Sequence, residues 1–165
     1  MSDLLISLAL LVVCVLVLYQ LWRGAVFVPS HKQIVKLMVD LAQIKEGMKV
    51  ADLGSGDGRI VIAMAQAGAY AVGFEMNPIL AWWARAKIKR LGLQQRAQIK
   101  IGDFWHADLS QFDVVTVFGI DYIMKRLEKK LQAELKPGSV VISNAFVFPT
   151  WAKSGSEHSL NIYKK

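Results

Sequence analysis

Between Lys49 and Val61 the chain runs through a short apolar segment, then carries glycine at 54, 56 and 58, then enters a helix-patterned stretch. The order predicts strand, tight turn, helix. Glycines at alternate positions admit a backbone path closed to other residues and let a ligand approach without side chains in the way, while the following helix offers free N–H groups. Two carboxylates stand beside this turn in the pattern. Asp52 ends the first apolar run, and Glu75 ends a second, Tyr70 to Phe74. A carboxylate at the end of the neighbouring strand can accept both hydroxyls of a ribose. The chemistry these residues serve is the grip on a nucleotide-type cofactor.

Spacing separates the cofactors. The dinucleotide fingerprint G-x-G-x-x-G/A needs a third small residue for close helix packing, and counted from Gly54 that position is Arg59. A dinucleotide-dependent oxidoreductase is therefore the alternative reading. An acidic residue followed by G-x-G-x-G, as in Asp52-Leu53-Gly54-Ser55-Gly56-Asp57-Gly58, resembles the first motif of the class I, seven-strand S-adenosylmethionine (AdoMet) methyltransferases. The resemblance implies that the turn of Gly54, Ser55, Gly56 and Gly58 binds AdoMet, with Gly54 and Gly56 passing their backbone along its methionine part. Asp52 would take its ammonium, Glu75 its ribose, Asp103 its adenine amino group and Phe104 the adenine face. Asp103 equally suits a turn aspartate that bonds its own backbone.

Further segments narrow the family. Pro29 with the helix after it, Glu75-Met76-Asn77-Pro78, Val115-Thr116-Val117-Phe118 and Phe148-Pro149-Thr150-Trp151 together resemble the small membrane-anchored protein-lysine methyltransferases. Mitochondrial members of that family act on the adenine nucleotide translocase and the ATP synthase c subunit. The likeness covers most of residues 26 to 152 and implies a lysine side chain of a membrane-associated protein as methyl acceptor. Gly119-Ile120-Asp121-Tyr122 departs from the family pattern where substrate-side groups normally sit. Ser143-Asn144-Ala145-Phe146 is faintly similar to the lysine-channel segment of a histone methyltransferase family with this fold.

A lysine amine must be neutral to attack. With a pKa of about 10.4 it is neutral only about one time in 2,500 at pH 7, a cost of roughly 4.6 kcal/mol. A proton acceptor or amine-orienting group is one answer, and Asp121, Tyr122 and Asn144, with His106, are the candidates at predicted strand or turn ends. The other answer is an apolar channel that depresses the amine's pKa. Trp105, Phe146, Phe148 and Trp151 are the aromatic residues for such a wall, with core packing as their ordinary alternative.

The elements that must position these residues alternate β and α. Strands are expected at Lys49–Leu53, Ala71–Glu75, Ala97–Ile101, Asp113–Phe118 and Ser139–Asn144. Helices are expected at His31–Ala42, Arg59–Ala67, Asn77–Leu91 and Tyr122–Leu135, with Ser30 capping the first. Leu80, Ala84, Ile88 and Leu91 form the expected inner face of the third helix. A closing hairpin with its turn at Ser154-Gly155-Ser156 completes the sheet. The fold class is α/β, a doubly wound, mostly parallel seven-strand Rossmann-like sheet.

Ahead of it lie nineteen uncharged residues, Leu4 to Trp22, thirteen of them Leu, Ile or Val. A helix of that length reaches roughly 28 Å, about the hydrocarbon thickness of a bilayer. Residues 1–23 therefore read as a transmembrane anchor and 24–165 as the methyltransferase domain. Arg23, Lys32 and Lys36 follow the span and no Lys or Arg precedes it, which puts the domain on the cytoplasmic side of a bacterial inner membrane, or in the matrix if the membrane is mitochondrial. The single cysteine, Cys14, falls inside this span and implies no disulfide. No His, Cys and carboxylate spacing predicts a metal site. The chain has a formal net charge of +7, which suits an anionic membrane surface or an acidic partner. Nucleic acid is disfavoured, because the basic clusters fall on predicted helix faces and the Asn/Asp-Pro-Pro-aromatic motif of amino-directed DNA methyltransferases is missing. A non-catalytic membrane adaptor that keeps the fold remains the reading outside enzymology.

Overall fold

The computed structural model describes residues 5–8, 10–11 and 29–165. Seven strands and four helices follow Pro29 in the order α1 (Lys32–Ala42), β1 (Lys49–Leu53), α2 (Arg59–Gln66), β2 (Tyr70–Glu75), α3 (Pro78–Arg90), β3 (Ala97–Ile101), β4 (Val114–Val117), α4 (Asp121–Glu134), β5 (Val140–Asn144), β6 (Gly155–Glu157) and β7 (Leu160–Lys164). A short 3-10 turn, Phe104–His106, follows β3. The strands make one sheet in the order β3-β2-β1-β4-β5-β7-β6. β7 alone runs antiparallel to its neighbours β5 and β6. The expected doubly wound, mostly parallel sheet is what the chain forms.

Period-two alternation distributes the strand side chains to two faces. Val50, Ala71, Ile99, Val114 and Ile142 meet Val35 and Met38 of α1, Val61 and Met64 of α2 and Ala84 and Ile88 of α3. Ala51, Leu53, Phe74, Val115, Val117 and Val141 meet Met124, Leu127 and Leu131 of α4 on the other face. Both faces are covered, so β4 is apolar in every residue except Thr116 and buried throughout.

The chain departs from its local signals in a few places. Ser30 does not cap α1; His31 occupies the cap position without a side-chain bond, and Ser30 turns toward the sheet instead. Leu91 lies beyond the inner face of α3 and is exposed, the buried positions being Ala81, Ala84 and Ile88. Gly92 does close that helix, for its left-handed backbone lets Leu93 N–H reach the Ile88 carbonyl at 3.0 Å. The hairpin turn falls at His158-Ser159 rather than at 154–156, because Glu157 pairs with Leu160 and Gly155 with Ile162. Gly155 and Ser156 belong to β6.

Most of the apolar segment 4–22 lies outside the described residues. Among those that are described, no helix is long and apolar enough to cross a membrane.

Candidate functional site

The strand order reverses between β1 and β4. β1 leads outward to β2 and β3, and the chain then crosses to β4 on the other side of β1. Open α/β sheets bind ligands outside the carboxyl ends of the strands at such a reversal. The glycine turn, Asp52 and Glu75 all sit there.

Gly54 and Ser55 N–H both reach the Phe74 carbonyl at 3.0 Å, which folds the turn back over the end of β2. Gly54 is exposed, and a Cβ built on it meets nothing within 4 Å, so the turn's outer surface is open. Gly58 sits against α3, where an added Cβ would lie 2.8 Å from the Ala84 Cβ. Its role is close packing of the turn on the fold. Glu75 grips the turn from the side: Oε2 accepts from Gly56 N–H at 2.8 Å and Oε1 from Asn77 N–H at 2.7 Å. Each oxygen keeps a second acceptor site, and the residue is partly exposed.

Asp52 is 3% exposed and accepts from the Thr116 hydroxyl at 2.7 Å, its register partner on β4. Burial pushes its carboxyl up to about 7; Thr116 works against that, and the nearby carboxylates of Glu75 and Asp57 add to it. On the β2 side the register partner of Asp52 is Gly73. A Cβ there would stand 2.5 Å from the Ser55 hydroxyl, so bare backbone at Gly73 is what lets Ser55 enter the interior. The Ser55 hydroxyl is buried with no hydrogen-bond partner among the described residues, an orphaned polar atom within the turn.

Asp57 belongs to the scaffold. Its two oxygens take Arg59 Nε and Nη2, both at 2.9 Å, and Lys87 Nζ at 2.6 Å. Burial would raise its carboxyl, but Arg59 and Lys87 outweigh that and hold it at about 2. The third guanidinium nitrogen of Arg59 donates to the Ser30 carbonyl at 2.6 Å. The residue that breaks the dinucleotide fingerprint thus ties the segment before α1 to the glycine turn.

The other expected residues divide. Asp103 caps the 3-10 turn, accepting from Trp105 N–H at 2.9 Å, which is the turn-aspartate role. It also lines a cleft of about 290 Å³ beside β3 with Lys100, His106 and Phe112, a cleft whose walls include none of Asp52, Gly54 or Glu75. Phe104 packs against Trp105, ring centroids 4.8 Å apart, and Arg126 covers the Trp105 ring at 4.1 Å. Asp121 opens α4 and Tyr122 follows it, both exposed, after the end of β4. Asn144 ends β5, but its amide is engaged: it donates to the Ser30 hydroxyl at 3.4 Å and accepts from Ser159 at 2.7 Å. It sits in a position to hold Ser30.

The expected aromatic wall does not form as one surface. Phe148 meets the Tyr163 ring edge-on at 4.7 Å in the core under α4, and the partly buried Trp151 lies tilted against the same ring at 5.5 Å. The buried Glu128 of α4 accepts from Thr150 N–H and hydroxyl and draws that loop down. Phe146 stays near the sheet's carboxyl edge, beside Phe118 at 6.2 Å, while Trp105 lies in the turn after β3 under Arg126. Thr116, Gly73 and Phe118 are neighbours of the site to which the sequence reading gives no role, although Thr116 and Phe118 lie in the Val115–Phe118 segment that carries the family likeness. Thr116 carried a signal, a lone hydroxyl in a wholly apolar strand. Gly73 carried a weaker one, a glycine inside a strand.

The donor set fits AdoMet: an open turn, an orphaned Ser55 hydroxyl, paired acceptors on Glu75 and a buried acid at Asp52. No group of three or more potential metal ligands occurs among the described residues.

A family model described as the ANTKMT methyltransferase domain matches residues 52–155. A lysine N-methyltransferase of the ATP synthase c subunit from Rattus norvegicus is 45% identical over 125 residues, 76% of this chain and 57% of that protein. A protein-lysine N-methyltransferase of Saccharolobus islandicus is 38% identical over 127 residues, 76% of this chain and 79% of that one. Among solved structures, an RNA methyltransferase from Salinibacter ruber in complex with S-adenosyl-L-homocysteine superposes with a TM-score of 0.78 at 36% identity, over 82% of this chain and 91% of that one. The chain spans only about half the length of the vertebrate relatives it matches.

Proposed function

Because the chain belongs to the ANTKMT methyltransferase domain family, we propose that it is an AdoMet-dependent protein-lysine N-methyltransferase acting on a membrane-associated protein. The observation that carries the reading is the glycine turn held by Glu75 at the point where the strand order reverses. The likeness to protein-lysine methyltransferases supports the acceptor class. Residues 1–23 serve as a membrane anchor for the domain at 24–165, facing the cytoplasm or, in a mitochondrion, the matrix. That assignment rests on the hydropathy and charge of the sequence.

Bound AdoMet supplies a methyl group on a positively charged sulfur. Glu75 would hold the cofactor by its ribose, its carboxylate already fixed by Gly56 and Asn77. Asp52 would take the cationic methionine end, and the Ser55 hydroxyl, which has no partner among the described residues, would be a further donor. Phe118 and Phe146 exclude water beside the sheet's carboxyl edge, which favours a neutral amine there. Asp121, exposed at the start of α4, would receive the amine's proton or pass it to solvent, with Tyr122 beside it to orient the amine.

Calorimetry of the full chain tests the first half: AdoMet or its demethylated product binds, and Glu75→Ala abolishes the heat. Methyl-tritiated cofactor tests the second, with membrane protein and total RNA offered in parallel because of the Salinibacter relative. Label in lysine of a membrane protein supports the proposal. Label in RNA alone, or binding with no transfer to either, overturns it.

A further inference from the structure

Helix α3 is apolar on the wrong side as well as the right one. Ala81, Ala84 and Ile88 face the core. On the opposite side Trp82 and Trp83 are each 61% exposed, Ile79 is 51% exposed, and Met76, just before the helix, is 44% exposed. At about 100° per residue Ile79, Trp82, Trp83, Lys89 and Arg90 fall within roughly 120° of arc, centred away from the sheet. Such an outward face is ordinarily polar. Two adjacent exposed tryptophans with aliphatic neighbours are a patch rather than scattered apolar residues.

The face is also graded along its length. The apolar residues fill the first half, and Lys89 and Arg90 end it, both exposed and in no ion pair among the described residues. The other two basic residues are engaged, Arg85 with the Ile99 carbonyl and Lys87 with Asp57. Tryptophan prefers the boundary between hydrocarbon and headgroups, and free lysine and arginine beside it complement anionic lipid. A soluble protein partner would also accept the tryptophans, but the unpaired basic end and the +7 net charge favour phosphate headgroups.

We infer that the outer face of α3, through Met76, Ile79, Trp82, Trp83, Lys89 and Arg90, docks on the surface of an anionic phospholipid bilayer. α3 begins at the carboxyl end of β2, with Met76 immediately after Glu75. Docking through the first half of α3 therefore turns the cofactor edge of the sheet toward the lipid, where a lysine near a membrane surface is within reach. The inference adds an orientation to a tether, since a single anchoring segment fixes the distance of a domain but not which side faces the membrane.

The full chain reconstituted in vesicles of equal parts phosphatidylcholine and phosphatidylglycerol, with brominated acyl chains, reads this through tryptophan quenching. Trp82→Phe/Trp83→Phe, at exposed positions, keeps the apolar face and removes its fluorescence. The wild type is expected to lose at least twofold more emission to bromolipid than the double variant, with a smaller loss in phosphatidylcholine alone. Equal loss in both proteins means Trp82 and Trp83 stay in water and overturns the inference. Equal quenching in neutral and anionic vesicles overturns the headgroup assignment. Blue-shifted, unquenched emission with a dimer in sedimentation places a second copy on the face and overturns it as well. AdoMet binding measured on the same samples keeps this outcome separate from the methyl-transfer reading, because lipid contact needs no turnover.

Discussion

Glu75 and Gly56, nineteen residues apart, are joined by a 2.8 Å hydrogen bond from the turn's amide to the carboxylate, and Asn77 N–H holds the second oxygen at 2.7 Å. The acid proposed to hold the ribose is therefore also a strut of the turn. Glu75→Gln replaces one acceptor by an NH₂ group that points at a backbone N–H, and it removes the charge that strengthens bonds to hydroxyls. We expect AdoMet affinity to fall at least tenfold by calorimetry and the melting temperature of the free protein to drop by several degrees. A variant that binds as tightly as the wild type would remove Glu75 from the cofactor site.

Asp52 makes binding depend on pH. Its carboxyl, ordinarily near 3.8, is raised by burial to about 7. Between those values the folded chain holds a proton that the unfolded chain has released, so stability falls as pH rises through that window and levels off above about 7. A cation bound beside Asp52 favours the carboxylate. AdoMet affinity is then expected to rise as pH passes upward through about 7, and to turn down near 8, where an α-amino group loses its own charge. Asp52→Asn should flatten the rise and weaken binding at pH 7.5. An unchanged profile in calorimetric titrations across this range would show that Asp52 does not meet the ammonium.

Gly73 is a test of close approach. A Cβ would stand 2.6 Å from the Ser55 Cβ and 2.8 Å from Ile99 Cδ1, as well as 2.5 Å from the Ser55 hydroxyl. Overpacking of this kind costs about 1–3 kcal/mol. Gly73→Ala is expected to lower the unfolding free energy from denaturant titration by that amount and to weaken AdoMet binding by displacing Ser55, both measurable on one purified sample. Loss of stability without loss of affinity would make Ser55 a packing residue only.

The strands, the turn and Glu75 were legible because they follow from local rules: period-two burial, glycine at a reversal, an acid at a strand end. Asp52 was legible as a residue but not as a buried acid, since its burial depends on Thr116, 64 residues away, coming to the same register. Sequence left the aromatic residues open between a channel wall and core packing for the same kind of reason. Phe148 and Trp151 suit either in sequence, but Tyr163 and Glu128, on two other elements, pull them toward the core. Ser30 reads as a helix cap until Arg59 and Asn144 claim its carbonyl and hydroxyl. Pairings that close over long stretches of chain leave no local trace.

Arg59 makes the last of these pairings experimentally accessible. Its guanidinium spans both Asp57 oxygens and the Ser30 carbonyl at once, a fork geometry that a single ammonium lacks. Arg59→Lys should keep a charge near Asp57 and release Ser30. Hydrogen exchange over residues 29–38 is expected to quicken several-fold, while strands β1 and β4 keep their protection. Asp57, held at about 2 chiefly against its own burial by Arg59 and Lys87, stabilises the fold above about pH 4 and loses that contribution as pH falls toward 2. With Arg59 weakened its carboxyl rises, so the acid-unfolding midpoint should move to higher pH. If AdoMet also binds more weakly while stability at pH 7 is nearly unchanged, the segment at Ser30 covers the cofactor. Unchanged exchange at 29–38 would mean that Asn144 holds Ser30 without Arg59.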